Sequence, residues 1–563
     1  MRILRVIVVA ALVLVVGAVL LRVLDRPGAK LYVGGSIVTM DPQNRVVEAL
    51  AVDGDRIVST GSRAELRAWA EDAGAEVIDL DGRTIVPGFI DAHGHYPGAG
   101  LAAVFVDLNS PPIGSVESIE NLVTLLSQRA AETPEGEWIL GIGYDDTLML
   151  EQRHPTRHDL DRASTRHPVG VLHISGHLGV ANTAALEVSG ISAETPDPQG
   201  GLIRREDDSR RPNGVLEETA TQPITARLVP GFMDVLRMLE RANELYLEQG
   251  VTTAQSGATA VGLVRLFDWA SWLGLVPLRL IVWPTPAAAD SLLAGELEAG
   301  QWNPLRLRVG AVKIIADGSI QGYTGYLREP YRIPPGDDPF YRGYPRIPRD
   351  ELIERVQRYH GAGLQLAIHG NGDASIDDIL DAIELAQAES PRADARHIVI
   401  HAQMTRDDQL DRMKRLGVLP SFFSLHTFYW GDRHRRIFMG PERAARMSPA
   451  KSAQARGVRF TIHCDTPVVP MEPLRLVWAA VNRKTRSDFT LGEAERISPM
   501  QALAAVTIDA AWQHFEEDVK GSLEPGKLAD FVILSRSPLD DPETIDEIEV
   551  IETVIGGRTV YRR

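Results

Sequence analysis

Thr84-Ile85-Val86-Pro87-Gly88-Phe89-Ile90-Asp91-Ala92-His93-Gly94-His95 is an apolar run that ends in two histidines separated by one glycine. Read as a strand, it has period-2 side chains, so His93 and His95 point to one face. Two imidazoles on one face at a strand's end can grip a metal ion from one side. His-X-His alone is a common accident. Its weight comes from four later residues, each closing its own apolar, strand-like run. Lys313 follows Val309 to Val312, His369 follows Leu364 to Ile368, His401 follows Ile398 to Ile400, and Asp465 follows Val458 to Cys464.

Working outward, from about residue 115 helical patterns such as Ile119 to Ala131 and Leu352 to His360 alternate with short apolar runs such as Trp138 to Gly143. That alternation predicts an α/β fold with a parallel sheet, closed over this length into a (β/α)8 TIM-like barrel. Barrel enzymes put their sites at the C-terminal strand ends, where the six residues converge. A β/α unit needs at least about 30 residues. The steps Lys313 to His369, His369 to His401 and His401 to Asp465 are 56, 32 and 64 residues, which suit one, one and two units. His95 to Lys313 is 218 residues, so an insertion is expected within about 96–250, with Glu194 to Gly214 as a loop inside it. Residues 30–87 read as short strands, with Asp53-Gly54 and Asp81-Gly82 as hairpin turns. The chain returns to strands at Ala529 to Leu534 and Val550 to Tyr561. The expected organisation is a segment 1–29, a small β-sandwich from 30–87 and 516–563, and a barrel over 88–515.

The 563 residues are 44% hydrophobic and 24% charged, ordinary values for a globular chain. The net charge of −17 argues against a nucleic-acid partner, which wants a basic face. One cysteine, Cys464, excludes an intrachain disulfide and a cysteine-based zinc site. Val6 to Leu21 is uncharged, apolar or glycine, and flanked by Arg2, Arg5 and Arg22. It reads as an N-terminal transmembrane helix, an uncleaved anchor in the inner membrane with an exported catalytic domain. A cleaved signal peptide and a buried core helix are the rival readings.

Four histidines and an aspartate suit zinc or a similar borderline divalent ion. Lys313 is the odd member, because an ammonium has no lone pair. Carbon dioxide can convert its neutral amine to a carbamate whose oxygens bridge two cations. The alternative without lysine is one ion held by His93, His95, one later histidine and Asp465.

The chain resembles the amidohydrolase superfamily, specifically its amidohydrolase 3 (YtcJ-like) group. The matching motifs are Pro87 to His95, Val312 to Ser319, His369-Gly370-Asn371-Gly372-Asp373, His401-Ala402-Gln403 and Asp465-Thr466-Pro467-Val468. Ser175-Gly176-His177 and the ending Gly521 to Asp530 match as well. The resemblance implies a metal-dependent hydrolase of carbon–nitrogen, amide-type bonds in small-molecule substrates. It implies that His93, His95 and Asp465 hold one ion, that His369 and His401 hold a second, and that carboxylated Lys313 bridges them. His177 then polarises the substrate carbonyl or orients the substrate.

In this reading hydroxide forms on the metal, attacks the carbonyl, and Asp465 shuttles its proton to the departing amine. Asp317 and Asp373 orient a histidine or cap a loop. Cys464 packs away from the mouth. Two aromatic loops, one with Tyr323 and one with His426 and Trp430, are expected to line a partly apolar substrate pocket. An ester or lactone hydrolase, a mononuclear deaminase and a silent membrane-anchored binding protein stay as alternatives, and a homodimer is left open.

Overall fold

The computed structural model describes residues 27–207, 209–227, 231–300 and 303–563. Eight parallel strands run in chain order around one axis. They are β1 (Phe89–Ile90), β2 (Val251–Thr259), β3 (Arg279–Pro284), β4 (Leu307–Val309 continued by Val312–Ile315), β5 (Leu366–Gly370), β6 (Ile398–His401), β7 (Leu419–Phe422) and β8 (Thr461–Ile462). β4 breaks at Gly310, where a Cβ would lie 2.8 Å from the Trp283 ring. Its first half pairs with β3 and its second with β5. The ring closes just beyond the strand ends, where Asp465 N–H donates to His93 O at 3.2 Å and His95 N–H to Thr466 O at 2.7 Å. Ile281, Trp283, Ala367, Ile398, Ile400 and Leu419 fill the interior below the site.

The opening run does not form one strand. Thr84–Pro87 pairs with Ser36–Val38 and Phe531–Leu534 in a β-sandwich, whereas Phe89–Ile90 belongs to the barrel. Gly88 is the pivot: a Cβ there would lie 2.3 Å from the Thr252 side chain, so only glycine lets the chain pass between the two bodies. The strand also ends at Ile90, and His93 and His95 sit on a bent segment rather than at alternate positions of a strand. The sandwich packs a four-stranded sheet from residues 30–79 on a six-stranded one built from both ends of the chain. Tyr32 meets Phe531 edge to face at 5.2 Å between its sheets.

Between β1 and β2 lies a separate six-stranded sheet, in the order Gly201–Arg205, Pro212–Glu218, Leu178–Ala181, Val169–His173, Ile139–Tyr144 and Val106–Asp107. It has its own core around Leu122, Leu126, Leu160 and Val171. Glu194 to Gly214, expected as a loop, contributes one strand and the start of another to this sheet. Asp81-Gly82 is no hairpin, because the strands on either side belong to different sheets. Asp53-Gly54 does join an antiparallel pair.

The expected transmembrane helix is corrected. Among the described residues no helix is long and apolar enough to cross a membrane. Val6 to Leu21, on which that expectation falls, lies outside the described residues. A membrane partner is therefore unsupported.

Candidate metal centre and active site

Alternation along the strands brings two of the residues inward. On β4 Val312 and Ile314 pack outward and Lys313 faces the axis; on β5 Leu366 and Ile368 pack outward and His369 faces in. On β6 the same rule would turn His401 outward, because Ile398 and Ile400 face in. The backbone overrides it. His401 has φ 66° and Ala402 φ 45°, left-handed values that aim the imidazole at the axis. Asp465 also has a left-handed φ, 56°, but keeps the inward parity of Thr461 and His463, with Ile462 and Cys464 packed outward. Non-glycine residues held there cost roughly 1–3 kcal/mol each and cluster at functional sites.

These side chains meet on one floor. Asp465 Oδ1 lies 3.3 Å from His93 Nε2 and 3.2 Å from His95 Nε2, and Oδ2 lies 3.9 Å from His401 Nε2. Lys313 Nζ lies 3.0 Å from His93 Nε2. The His369 and His401 rings are 4.5 Å apart, and His177 is 5.1 Å from His369. All seven line a cavity of about 1220 Å³ whose outer wall is apolar, with Met238, Leu263, Phe267 and Val468.

Each imidazole has its far nitrogen bound. His93 Nδ1 meets Gln255 Oε1 at 3.1 Å, His95 Nδ1 meets Gly257 O at 3.1 Å, and His369 Nδ1 meets Asp317 Oδ1 at 3.1 Å. His401 Nδ1 meets His463 Nε2 at 3.1 Å, and His177 Nδ1 meets Glu218 Oε2 at 2.9 Å. In His93, His95, His369 and His401, tying Nδ1 in this way leaves the Nε2 lone pair for a metal. Trp283 stacks on the His93 ring at 5.2 Å and 10°.

The residues fit a cation. Burial, reinforced by the basic groups nearby, holds His93, His369 and His401 well below the usual histidine range, so they are neutral as ligands must be. Burial pushes the Lys313 amine down to about 7. Burial pushes Asp465 the other way, but the neighbouring His95, with His463 and Lys313, holds it ionised below its ordinary range. Its Oδ1 is buried without a hydrogen-bond partner among the described residues. Ligand atoms of His93, His401 and Asp465 lie within 4.8 Å of one another. The 3.2–3.3 Å spacings match the edge of a tetrahedron with metal–nitrogen and metal–oxygen bonds near 2.0 Å, about 3.3 Å.

Three expected pocket residues lie elsewhere. His426 and Trp430 are not on a loop but on the helix Leu425–Arg433, where their four-residue spacing buries both on one face against Phe423. Trp430 Nε1 donates to Asp145 Oδ2 at 3.2 Å. Tyr323 packs on Tyr331 and Phe438. None of the three lines the large cavity. Asp373 pairs with Arg406 and accepts from the Arg328 N–H, away from the ligands. Cys464 is buried in the core. The sequence reading missed Gln255, Glu218 and Arg346; His463 stood in plain view two residues before Asp465.

A (β/α)8 barrel whose strand ends gather histidines and a carboxylate at ligand spacing has the make-up of a metal-dependent hydrolase. Residues 76–561 match the model of the amidohydrolase family, and the chain belongs to that family. It is 29% identical over 551 residues to an N-substituted formamide deformylase of Arthrobacter pascens, covering 95% of this chain and 98% of that one. It is 29% identical over 552 residues to the putative amidohydrolase YtcJ of Bacillus subtilis, covering 94% and 99%. An uncharacterized metal-dependent hydrolase from Pyrococcus furiosus superposes with a TM-score of 0.69 at 28% identity, covering 91% of this chain and all of that one. The chain is a metal-dependent hydrolase of carbon–nitrogen bonds in small molecules.

Proposed function

We propose that this chain hydrolyses the C–N bond of small N-substituted amides, with zinc as its metal and Asp465 as its proton shuttle. The name of the Arthrobacter relative supports formamides as the first class to test. The carrying observation is the Asp465 Oδ1, buried and without a hydrogen-bond partner among the described residues, 3.2–3.3 Å from two imidazole nitrogens on the cavity floor.

His93, His95 and Asp465 would hold one ion and His369 and His401 a second. Lys313, carboxylated by carbon dioxide with loss of a proton, would join the two; an amine brought down to about 7 is the neutral form that reacts. Bound there, the metal supplies Lewis acidity and hydroxide at neutral pH. Asp465 accepts the proton of the attacking water and passes it to the departing nitrogen. In this reading His177 acts doubly protonated, its Nδ1–H on Glu218 and its Nε2–H donating to the substrate carbonyl, where it stabilises the charge that develops on the oxygen. Burial pushes Glu218 up, but His177 and Arg346 beside it hold it below its ordinary range, so it stays a carboxylate.

Metal content per chain, measured beside hydrolysis of a panel of N-substituted formamides and acetamides, tests the reading. Close to two ions in the wild type, falling to one or none in Lys313→Ala, supports the bridged pair. One ion indifferent to Lys313 replaces it with a single-metal site. A fully metal-loaded chain that cleaves no member of the panel overturns the substrate assignment.

A further inference from the structure

Arg346 stands in the active-site cavity and does more there than the hydrolytic reaction requires. Its backbone N–H donates to Ala316 O at 2.8 Å, which ties it to the strand end that carries Lys313. From the other side Gly200, at φ 71°, comes so close that a Cβ would lie 2.3 Å from Arg346 O. The barrel and the inserted sheet therefore clamp this residue's backbone between them.

Its guanidinium is barely used by the protein. Nη1 donates to Glu218 Oε2 at 3.1 Å, the oxygen that also accepts from His177 Nδ1 at 2.9 Å. Among the described residues its other N–H groups have no hydrogen-bond acceptor, although a guanidinium offers five. The side chain is 26% exposed, and that exposure is to the cavity. Pairing with Glu218 engages only one of its nitrogens, so the rest of the fork stays open to the cavity. Those donors face the cavity, open to whatever occupies it.

The geometry points to Arg346 as the anchor for a carboxylate on the substrate, which makes the preferred amide an N-acyl amino acid. This deepens the hydrolase reading and rests on it. The planar fork of a guanidinium matches a carboxylate with two parallel hydrogen bonds. Because Arg346 and His177 share one Glu218 oxygen, a carboxylate held by the first lies next to a carbonyl polarised by the second, as in an amino acid acylated on its α-nitrogen. The apolar wall at Met238, Leu263 and Phe267 would take an apolar side chain or acyl tail.

The test separates binding from turnover. N-methanesulfonyl-phenylalanine and its carboxamide are matched in shape and are not hydrolysed, and their Kd values are measured by calorimetry on the metal-loaded full chain. The carboxylate is expected to bind at least about 10-fold tighter than the amide. Arg346→Met should bring that ratio to within about 2-fold, and Arg346→Lys should restore part of it, with melting curves showing each variant folded. Equal affinities in the wild type would overturn the anchor. So would a preference undiminished in Arg346→Met, which would put the carboxylate on another cation. Turnover of N-formyl-phenylalanine against its carboxamide is read separately. A carboxylate preference in binding without cleavage of either would leave the anchor standing and remove the proposed amide substrates.

Discussion

Lys313 Nζ lies 3.0 Å from His93 Nε2 with both side chains buried, a contact between two bases that cannot both be protonated. Burial is the main force on the lysine, lowering it from 10.5 to about 7; Asp465 opposes and Arg346 assists. In the metal-free protein the unfolded chain therefore binds one more proton than the folded one between pH 7 and 10.5. Stability should rise with pH across that window, by up to about 1.4 kcal/mol per unit, and this lysine's contribution should be flat below it. Melting temperatures of the metal-free chain from pH 7 to 9, compared with Lys313→Met, check this. The upward slope should be reduced in the variant, and equal slopes would remove the lysine as its source.

Asp465→Asn keeps the shape of the side chain and one ligand oxygen but removes the proton acceptor. Turnover should fall by about 10²–10⁴-fold while part of the metal stays bound. Kinetics and metal analysis on the same preparation separate the two effects. Near-wild-type turnover would take the proton transfer away from this residue.

How the site assembles also shows what a sequence can reveal. Lys313 and His369 were legible because they obey strand alternation on short, buried, apolar runs. His401 could be picked out only by residue type, since left-handed backbone rather than alternation brings it in, whereas Asp465 follows the alternation of Thr461 and His463. The first motif misled locally: Gly88 divides one apolar run between two bodies, and nothing in its periodicity marks the break. Gln255 and Glu218 carry no local signal, because their meaning lies in contacts with His93 and His177, 162 and 41 residues away. The helix holding His426 and Trp430 looked like a loop because its aromatic, glycine-containing sequence has low helix propensity; packing overrides that.

His463 is expected to act on the metal without touching it. Burial takes it down to about 3, so it is neutral. Its Nε2 can then accept from His401 Nδ1–H at 3.1 Å while its Nδ1–H donates to Ser421 Oγ at 2.9 Å. That chain fixes the His401 tautomer with Nε2 free. His463→Phe should weaken metal binding by about 10–100-fold, with a smaller loss for Ser421→Ala. Competition against a chelator of known affinity measures both. Unchanged metal affinity in a folded His463→Phe chain would reduce His463 to packing.

Asp530, in the motif near the end of the chain, works for the fold. Arg279 opens β3, and its Nη2 donates to Asp530 Oδ1 at 2.8 Å while Nε binds the other oxygen. Both side chains are nearly inaccessible, at 6% and 3%. Asp530 Oδ1 also accepts from Gly556 N–H at 2.8 Å, so one carboxylate joins the barrel to the sandwich strand and to its hairpin turn. Asp530→Ala strands a guanidinium in the interior, which should cost about 3–5 kcal/mol. Replacing both partners, as Arg279→Met with Asp530→Leu, removes the stranded charge and should recover much of the loss. Neither residue lines the cavity, so kcat for a formamide should hold wherever the variants remain folded. Thermal melts of the three variants give the stability order. A double variant no more stable than Asp530→Ala would show that the hydrogen bonds from Asp530 to the backbone, rather than the ion pair, hold the two bodies together.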